Sequence, residues 1–152
     1  MGFMDKLKGA MNMVTGNAAK VTIEFTPATA IPGDRLNVRI TAVSTGAEVK
    51  SQGVFLDMRG NETISLPKGT ARDEAFTHEK ETIKNEHQLA PAFVLGPNET
   101  KTFEGQVVLP AAIQPTYDGV FTKHAFEIRG RVEAKGNDPD SGWKQIRVGT
   151  RN

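Results

Sequence analysis

The chain has 152 residues, of which 38% are hydrophobic and 24% charged, and its mean hydropathy is -0.39. These values are typical of one globular domain and exclude a disordered chain. Nineteen Lys and Arg residues stand against 18 Asp and Glu residues, so no nucleic-acid partner is predicted; the absence of cysteine excludes disulfides, thiolate zinc sites and a cysteine nucleophile. Without an apolar signal or membrane-spanning run, a cytoplasmic location is expected.

The first segment has apolar residues at helical spacing. The residues that share one stripe are Phe3, Met4, Leu7, Ala10, Met11 and Val14. Gly16 follows, and glycine readily takes the left-handed conformation that ends a helix. We therefore predict an amphipathic helix over residues 1–16 and a single domain over residues 17–152.

From Lys20 onward the apolar residues recur at every second position, which is the period of a half-buried strand. Strands are predicted around residues 20–26, over residues 31–43 (IPGDRLNVRITAV) and over residues 49–60 (VKSQGVFLDMRG), where Gly53 precedes the alternation and suggests a bulge. A short strand is predicted at Thr63 to Leu66, followed by a loop at Pro67 to Asp73. The charged stretch after it is interpreted as an exposed strand, with a short helix as the alternative.

The last third of the chain again alternates. The turn Gly96-Pro97-Asn98 precedes a predicted strand whose apolar positions run from Phe103 to Leu109, and a proline-bearing link follows. Residues 123–135 and Trp143 to Val148 are predicted to form a long hairpin around the turn KGNDPDSG. About seven or eight such strands predict an all-β fold, an antiparallel immunoglobulin-like or arrestin-like sandwich.

The sequence offers no recognisable catalytic or cofactor site, and we expect neither an enzyme nor a cofactor. His78, His87 and His124 lack metal-ligand spacing from one another, and no phosphate-binding or serine-hydrolase motif occurs. The stretch Asp138 to Gly142 is similar to the start of an EF-hand loop, but position twelve of such a loop would be Gly149 instead of glutamate. It is interpreted as a polar hairpin turn.

The amphipathic segment is the main candidate contact site. Its residues predicted to bind a protein partner are Phe3, Met4, Leu7, Met11 and Val14. A methionine-rich apolar stripe adapts to a partner groove or to a second copy of the chain. Packing on the sandwich's own surface is the alternative, and peripheral membrane contact is a weaker one, because the segment carries few positive charges.

The order of these segments resembles that of arrestin-like sandwiches, and in particular the bacterial sporulation-control proteins. The resemblance lies in GNAAKVTIEF (16–25), IPGDRLNVRITAV, VFLDMRG (54–60), LGPNETKTFEGQVVLP (95–110) and FEIRGRVEA (126–134). It covers one sandwich domain. It implies a non-catalytic adaptor or regulator that binds other proteins through sheet faces, edges or loops.

Two functions from different classes follow from the sequence. The first is a cytoplasmic protein-interaction module of arrestin-like type, with the helix and exposed strand edges as contact surfaces. The second is a ligand-binding sandwich for a carbohydrate or calcium, using loops near Tyr117, Asp138 to Asp140 and Trp143. Aromatic side chains in loops can stack on sugars, although a core position for the tryptophan is the more usual one.

Overall fold

The computed structural model describes residues 18–70, 73–136 and 138–150, which form ten β-strands. The strands are β1 (Ala19–Thr26), β2 (Thr29–Ala30), β3 (Arg35–Ser44), β4 (Val49–Leu66), β5 (Phe76–Ala90), β6 (Phe93–Leu95), β7 (Thr100–Val108), β8 (Tyr117–Asp118), β9 (Thr122–Ala134) and β10 (Lys144–Val148). The predicted helix over residues 1–16, with Phe3, Met4, Leu7, Met11 and Val14, lies outside the described residues. No described helix is long and apolar enough to cross a bilayer.

The strands form two sheets. One has three strands in the order β1-β3-β7, and the other has seven, with β2-β10-β9-β4-β5 along its main path, β6 paired to β4 and β8 paired to β9. The pairings are antiparallel except for the short parallel pair of β2 and β10. The all-β prediction is therefore confirmed for the part of the chain that the structure describes.

Alternating side chains of both sheets meet in one hydrophobic core. The largest fully buried apolar side chains are Phe126, Leu36, Ile40, Leu56, Leu95, Leu109, Ile128 and Ile146. A Cβ placed on Gly130 of β9 would lie 3.0 Å from Cγ1 of Ile40 on β3, so a side chain there would require the Ile40 side chain to shift. The missing side chain at Gly130 thus permits close packing of the two layers.

Two details of the strand prediction need correction. The strand count of seven or eight is too low, because β2, β6 and β8 have only two or three residues each and show no alternation of their own. The two strands predicted over residues 49–66 are one strand, β4, because both its edges stay paired, with β5 and β9, through Asn61 and Glu62. Backbone hydrogen bonds to both neighbouring strands keep Asn61 and Glu62 in the strand, although the apolar alternation is interrupted there.

Other details agree with the sequence. The charged stretch is the strand β5, exposed along most of its length, and not a helix. Gly53 has a φ of 153° and lies at a register shift between β4 and β9, which is the predicted bulge. β9 and β10 form the predicted hairpin.

Candidate functional site

The seven-stranded sheet carries a charged cluster on the face that points away from the core. On β4 the side chains of Leu56 and Met58 point inward, so Asp57 between them points outward. On β9, Arg129 lies directly opposite Asp57, and Arg131 is two residues further along. Strand alternation thus places one carboxylate and two guanidinium groups side by side.

Arg131 is almost buried, with 11% of its side chain exposed. Its Nε donates to Oδ2 of Asp57 at 3.0 Å, Nη1 donates to Asp138 at 3.0 Å and Nη2 donates to Glu86 at 2.6 Å. Burial by itself lowers the pKa of Arg131, but the hydrogen bonds and charge of Asp57, helped by Asp138 and Glu86, outweigh it and raise the pKa. The guanidinium therefore stays charged and joins β4, β5 and the β9–β10 loop.

The loop between β9 and β10 lies against this cluster. Its backbone is fixed to β9 by hydrogen bonds from Val132 N to Pro139 O and from Ser141 N to Gly130 O, each 2.9 Å long. Trp143 follows, and the guanidinium carbons of Arg59 and Arg129 lie 4.0 and 4.5 Å from the centre of its ring. Cation–π attraction thus holds the tryptophan on the sheet.

These groups line a groove of about 790 Å³. The lining residues are Asp57, Arg59, Glu81, Lys84, Asn85, Glu86, Arg129, Arg131, Asp138 and Trp143. Four are acidic and four basic, so the groove has no net formal charge and is suited to a ligand that carries both signs. We call it the Trp143 groove.

One wall of the Trp143 groove is the edge strand β5. β5 is the last strand on its side of the sheet, and no described strand pairs with its outer edge. Its fifteen residues are mostly exposed and include Lys84, Asn85 and Glu86 of the groove. Such an edge offers a row of backbone donors and acceptors to another chain.

A second polar cluster lies on the inner face near the start of β9. His124 is 1% exposed and has Glu62 and Tyr117 directly opposite it on β4 and β8. Its Nε2 forms a 2.7 Å hydrogen bond with Oγ1 of Thr82, whereas the buried Nδ1 has no hydrogen-bond partner among the described residues. Burial lowers the pKa of His124 more than the Pro115 carbonyl and the charge of Glu62 raise it.

Tyr117 closes this second cluster. Its hydroxyl donates to Oε2 of Glu62 at 2.7 Å, and its ring lies 6.1 Å from that of His124, centre to centre. The hydrogen bond to Glu62 raises the pKa of Tyr117, and desolvation and the charge of Glu62 add to the rise. We call Glu62, Thr82, Tyr117 and His124 the His124 cluster.

The structure separates residues that the ligand-binding hypothesis had grouped. Trp143 and Asp138 line the Trp143 groove, but Tyr117 belongs to the His124 cluster. Asp138 is bound to Arg131, and Asp140 lies 3.8 Å from Nη1 of Arg129. Within residues 18–70, 73–136 and 138–150, no group of three His, Asp or Glu side chains is placed to hold a metal ion.

Sequence reasoning missed the residues at the centre of the groove. The alternation assigns Arg129 and Arg131 to the polar face of their strand and gives Asp57 no functional role. A signal was present, because an acid on one strand and two arginines on another occur at outward positions between strongly apolar ones. Pairing β4 with β9 would have brought them together.

Comparisons with known proteins give the fold but no function. No protein-family model matches the sequence, and no curated protein sequence matches it. The structure is similar to that of Spo0M, the sporulation control protein from Bacillus subtilis, with a TM-score of 0.65, 16% identity and coverage of 89% of this chain and 51% of that one. The chain thus spans about half the length of Spo0M, and the predicted resemblance to sporulation-control proteins is confirmed.

Two enzymes are also among the similar structures. AvmM, which catalyses macrocyclization in alchivemycin A biosynthesis, has a TM-score of 0.50 and 11% identity over 90% of this chain and 91% of that one. The alkylpurine DNA glycosylase AlkC from Pseudomonas fluorescens, bound to DNA with an abasic-site analogue, has a TM-score of 0.45 and 18% identity over 93% of this chain and 34% of that one. At such identities the likeness concerns the fold alone.

Proposed function

We propose that this chain is a non-catalytic protein-binding module, an immunoglobulin-like or arrestin-like sandwich that acts as a cytoplasmic adaptor or regulator. The observation that carries the proposal is the fifteen-residue edge strand β5, which borders the Trp143 groove and whose outer side is paired with no described strand. A partner segment can add to the edge through backbone hydrogen bonds and place side chains in the groove. The backbone hydrogen bonds between the two strands then provide affinity, and the side-chain contacts in the Trp143 groove provide specificity.

The charges of the groove support binding more than chemistry. Asp57 accepts hydrogen bonds from both Arg129 and Arg131, and Asp138 and Glu86 accept from Arg131. These carboxylates are already bound to arginine side chains and thereby connect β4, β5 and the β9–β10 loop. No hydrogen bond or ion pair joins the side chains of Lys84 and Asn85 to other described residues, so both can contact a partner.

The amino-terminal segment supplies a second contact in this proposal. Its residues Phe3, Met4, Leu7, Met11 and Val14 are proposed to dock on a protein partner. Deletion of residues 1–15 is expected to leave a folded sandwich and to weaken self-association or partner capture. Unfolding of the truncated chain would instead assign these residues to the core.

The test of the proposal is position-specific photocrosslinking in the native host. A photoreactive residue replaces Lys84 on the open edge or, as a control, Asn37 on the central strand β3, which is exposed but has both backbone edges paired. We expect a discrete protein adduct from position 84 and none from position 37. Equal labelling from both positions, or none from position 84, would contradict binding at β5.

A second candidate function is a ligand-binding sandwich for carbohydrate or calcium, near Tyr117, Asp138 to Asp140 and Trp143. The specific observation in its favour is that Trp143, the one tryptophan of the sequence, lines the groove with Asp138. Tryptophan fluorescence, titrated with sugars and with calcium, tests it directly. A saturable change favours this candidate, and a flat response removes it.

A further inference from the structure

The open edge of β5 is able to pair with a strand of suitable sequence. Such edges are usually protected by charged side chains, and β5 carries Lys80, Glu81, Lys84 and Glu86. Charged side chains prevent pairing with a strand that places like charges opposite them, but not with one that places opposite charges there. The sequence of β5 itself contains a match.

The match is centred on Asn85. Lys84 and Glu86 flank it, and by their register with Arg59 and Asp57 of β4 both side chains lie on the outward face of the sheet. When two identical strands pair antiparallel about Asn85, Lys84 of each lies opposite Glu86 of the other. Opposite charges placed directly across from each other stabilise a strand pair, and here the symmetry gives the interaction twice.

Registers centred on the two residues next to Asn85 lack this property. A two-fold axis at Lys84 or at Glu86 would place two lysines or two glutamates opposite each other. An axis between Thr82 and Ile83 would set Glu81 against Lys84 twice, but it would also set Glu79 against Glu86 twice, and the repulsion offsets the attraction.

We propose that a second copy of this chain binds the outer edge of β5, antiparallel and with the two-fold axis at Asn85. The two seven-stranded sheets then continue into one another, and the two Trp143 grooves lie side by side on the same face. The inference rests on the proposed role of β5 as a docking edge and adds the identity of one partner. Because a single strand pair buries little area, the dimer is expected to be weak and reversible.

A cysteine at the axis tests the register. The chain has no cysteine of its own, so Asn85→Cys creates one unique thiol. Paired residues in an antiparallel ladder have Cα atoms roughly 4.5 to 5.5 Å apart, which is within the range that a disulfide spans. The control is Thr77→Cys on the same strand, whose two copies would lie about 50 Å apart in this register.

Under mild oxidation of the purified full chain, we expect Asn85→Cys to form a covalent dimer rapidly and Thr77→Cys to remain monomeric on a denaturing gel. Similar rates for the two variants would indicate random collision and would overturn the proposal. Slow crosslinking of both variants would overturn it equally. Capture of another protein at position 84 in the host would survive either result, so the two proposals fail separately.

Charge substitution gives an independent measurement on the uncrosslinked protein. Lys84→Glu places two pairs of glutamates face to face and is expected to weaken the dimer about tenfold in sedimentation equilibrium. Lys80→Glu makes the same change of charge on the same strand but meets no charged residue in this register, so its dimer affinity should be unchanged. Equal effects of the two substitutions, or a chain that is monomeric at high micromolar concentration, would contradict the pairing.

Discussion

Arg131 and His124 lie on the same strand, β9, but on opposite faces of the sheet, and their burial is compensated in different ways. Arg131 has a hydrogen-bond acceptor at Nε, Nη1 and Nη2 and keeps its charge. His124 has a partner at Nε2 only, and its Nδ1 is buried without one. The positive charge of Arg131 is therefore retained, whereas the neutral form of the His124 ring is favoured.

The difference lies in the neighbouring residues. The outward face supplies Asp57, Glu86 and Asp138, so the attraction between opposite charges exceeds the cost of removing Arg131 from water. The inward face supplies a hydroxyl from Thr82 and one carboxylate, Glu62, which Tyr117 already occupies. Desolvation therefore dominates at His124.

The largest effect is expected from Asp57→Ala. Asp57 accepts from both Arg129 and Arg131 and is 8% exposed, so its removal leaves two guanidinium groups in a partly buried site with one carboxylate fewer. We expect the free energy of unfolding in urea to fall by about 2 to 4 kcal/mol.

The matched control is Glu104→Ala on the three-stranded sheet. Glu104 pairs with Arg39 at 2.7 Å, but both side chains are more than half exposed, so about 0.5 kcal/mol is expected. Equal losses in the two variants would show that the network around Arg131 is no more than a set of surface ion pairs.

A smaller effect is expected from the pH dependence of the His124 cluster. Because folding lowers the pKa of His124 below the ordinary imidazole value of 6.5, the unfolded chain binds more protons than the folded one in that range. The contribution of the neutral ring is present above pH 6.5 and is lost as the pH falls below it. Urea unfolding between pH 7 and pH 5 should therefore show a decline that His124→Gln reduces.

The control for this prediction is His87→Gln. This variant removes an imidazole that is exposed on β5 instead of the buried one. If His124→Gln and His87→Gln behave alike, burial of His124 does not affect stability. Chemical shifts of the three histidine rings would then identify which group titrates.

Much of this framework could be predicted from the sequence, for a physical reason. Alternation of apolar residues records which side of a strand is buried, so the inward positions of β3, β4 and β9 are visible in the sequence. The same signal fails for β2 and β8, where two residues cannot alternate. It also fails at Glu62 and His124, because polar residues occupy inward positions there.

The Trp143 groove was only partly visible for a different reason. Trp143 and Asp138 drew attention as loop residues, but the roles of Arg59, Arg129 and Arg131 depend on which strands are neighbours. No single strand shows this order in its own sequence, because β9 pairs with β4 across 55 residues of intervening chain, residues 67–121. The hydrogen-bond partners of a buried charge depend on which strands are neighbours, and the alternation pattern does not reveal the order of the strands.

The smallest effect is expected in the titration of Tyr117, the one tyrosine of the sequence, which belongs to the His124 cluster. Its hydroxyl donates to the Glu62 carboxylate, and loss of the phenol proton would break that bond and set two negative charges together. We expect its ultraviolet titration midpoint to lie above that of free tyrosine, as the raised pKa of Tyr117 requires. Glu62→Gln keeps an acceptor but removes the charge, so the midpoint should fall toward the ordinary value, whereas Glu127→Gln on the outward face should leave it where it was. A midpoint insensitive to Glu62→Gln would mean that the inner carboxylate is not the acceptor of the Tyr117 proton, and the contrast between the two faces of β9 would then rest on Arg131 and His124 alone.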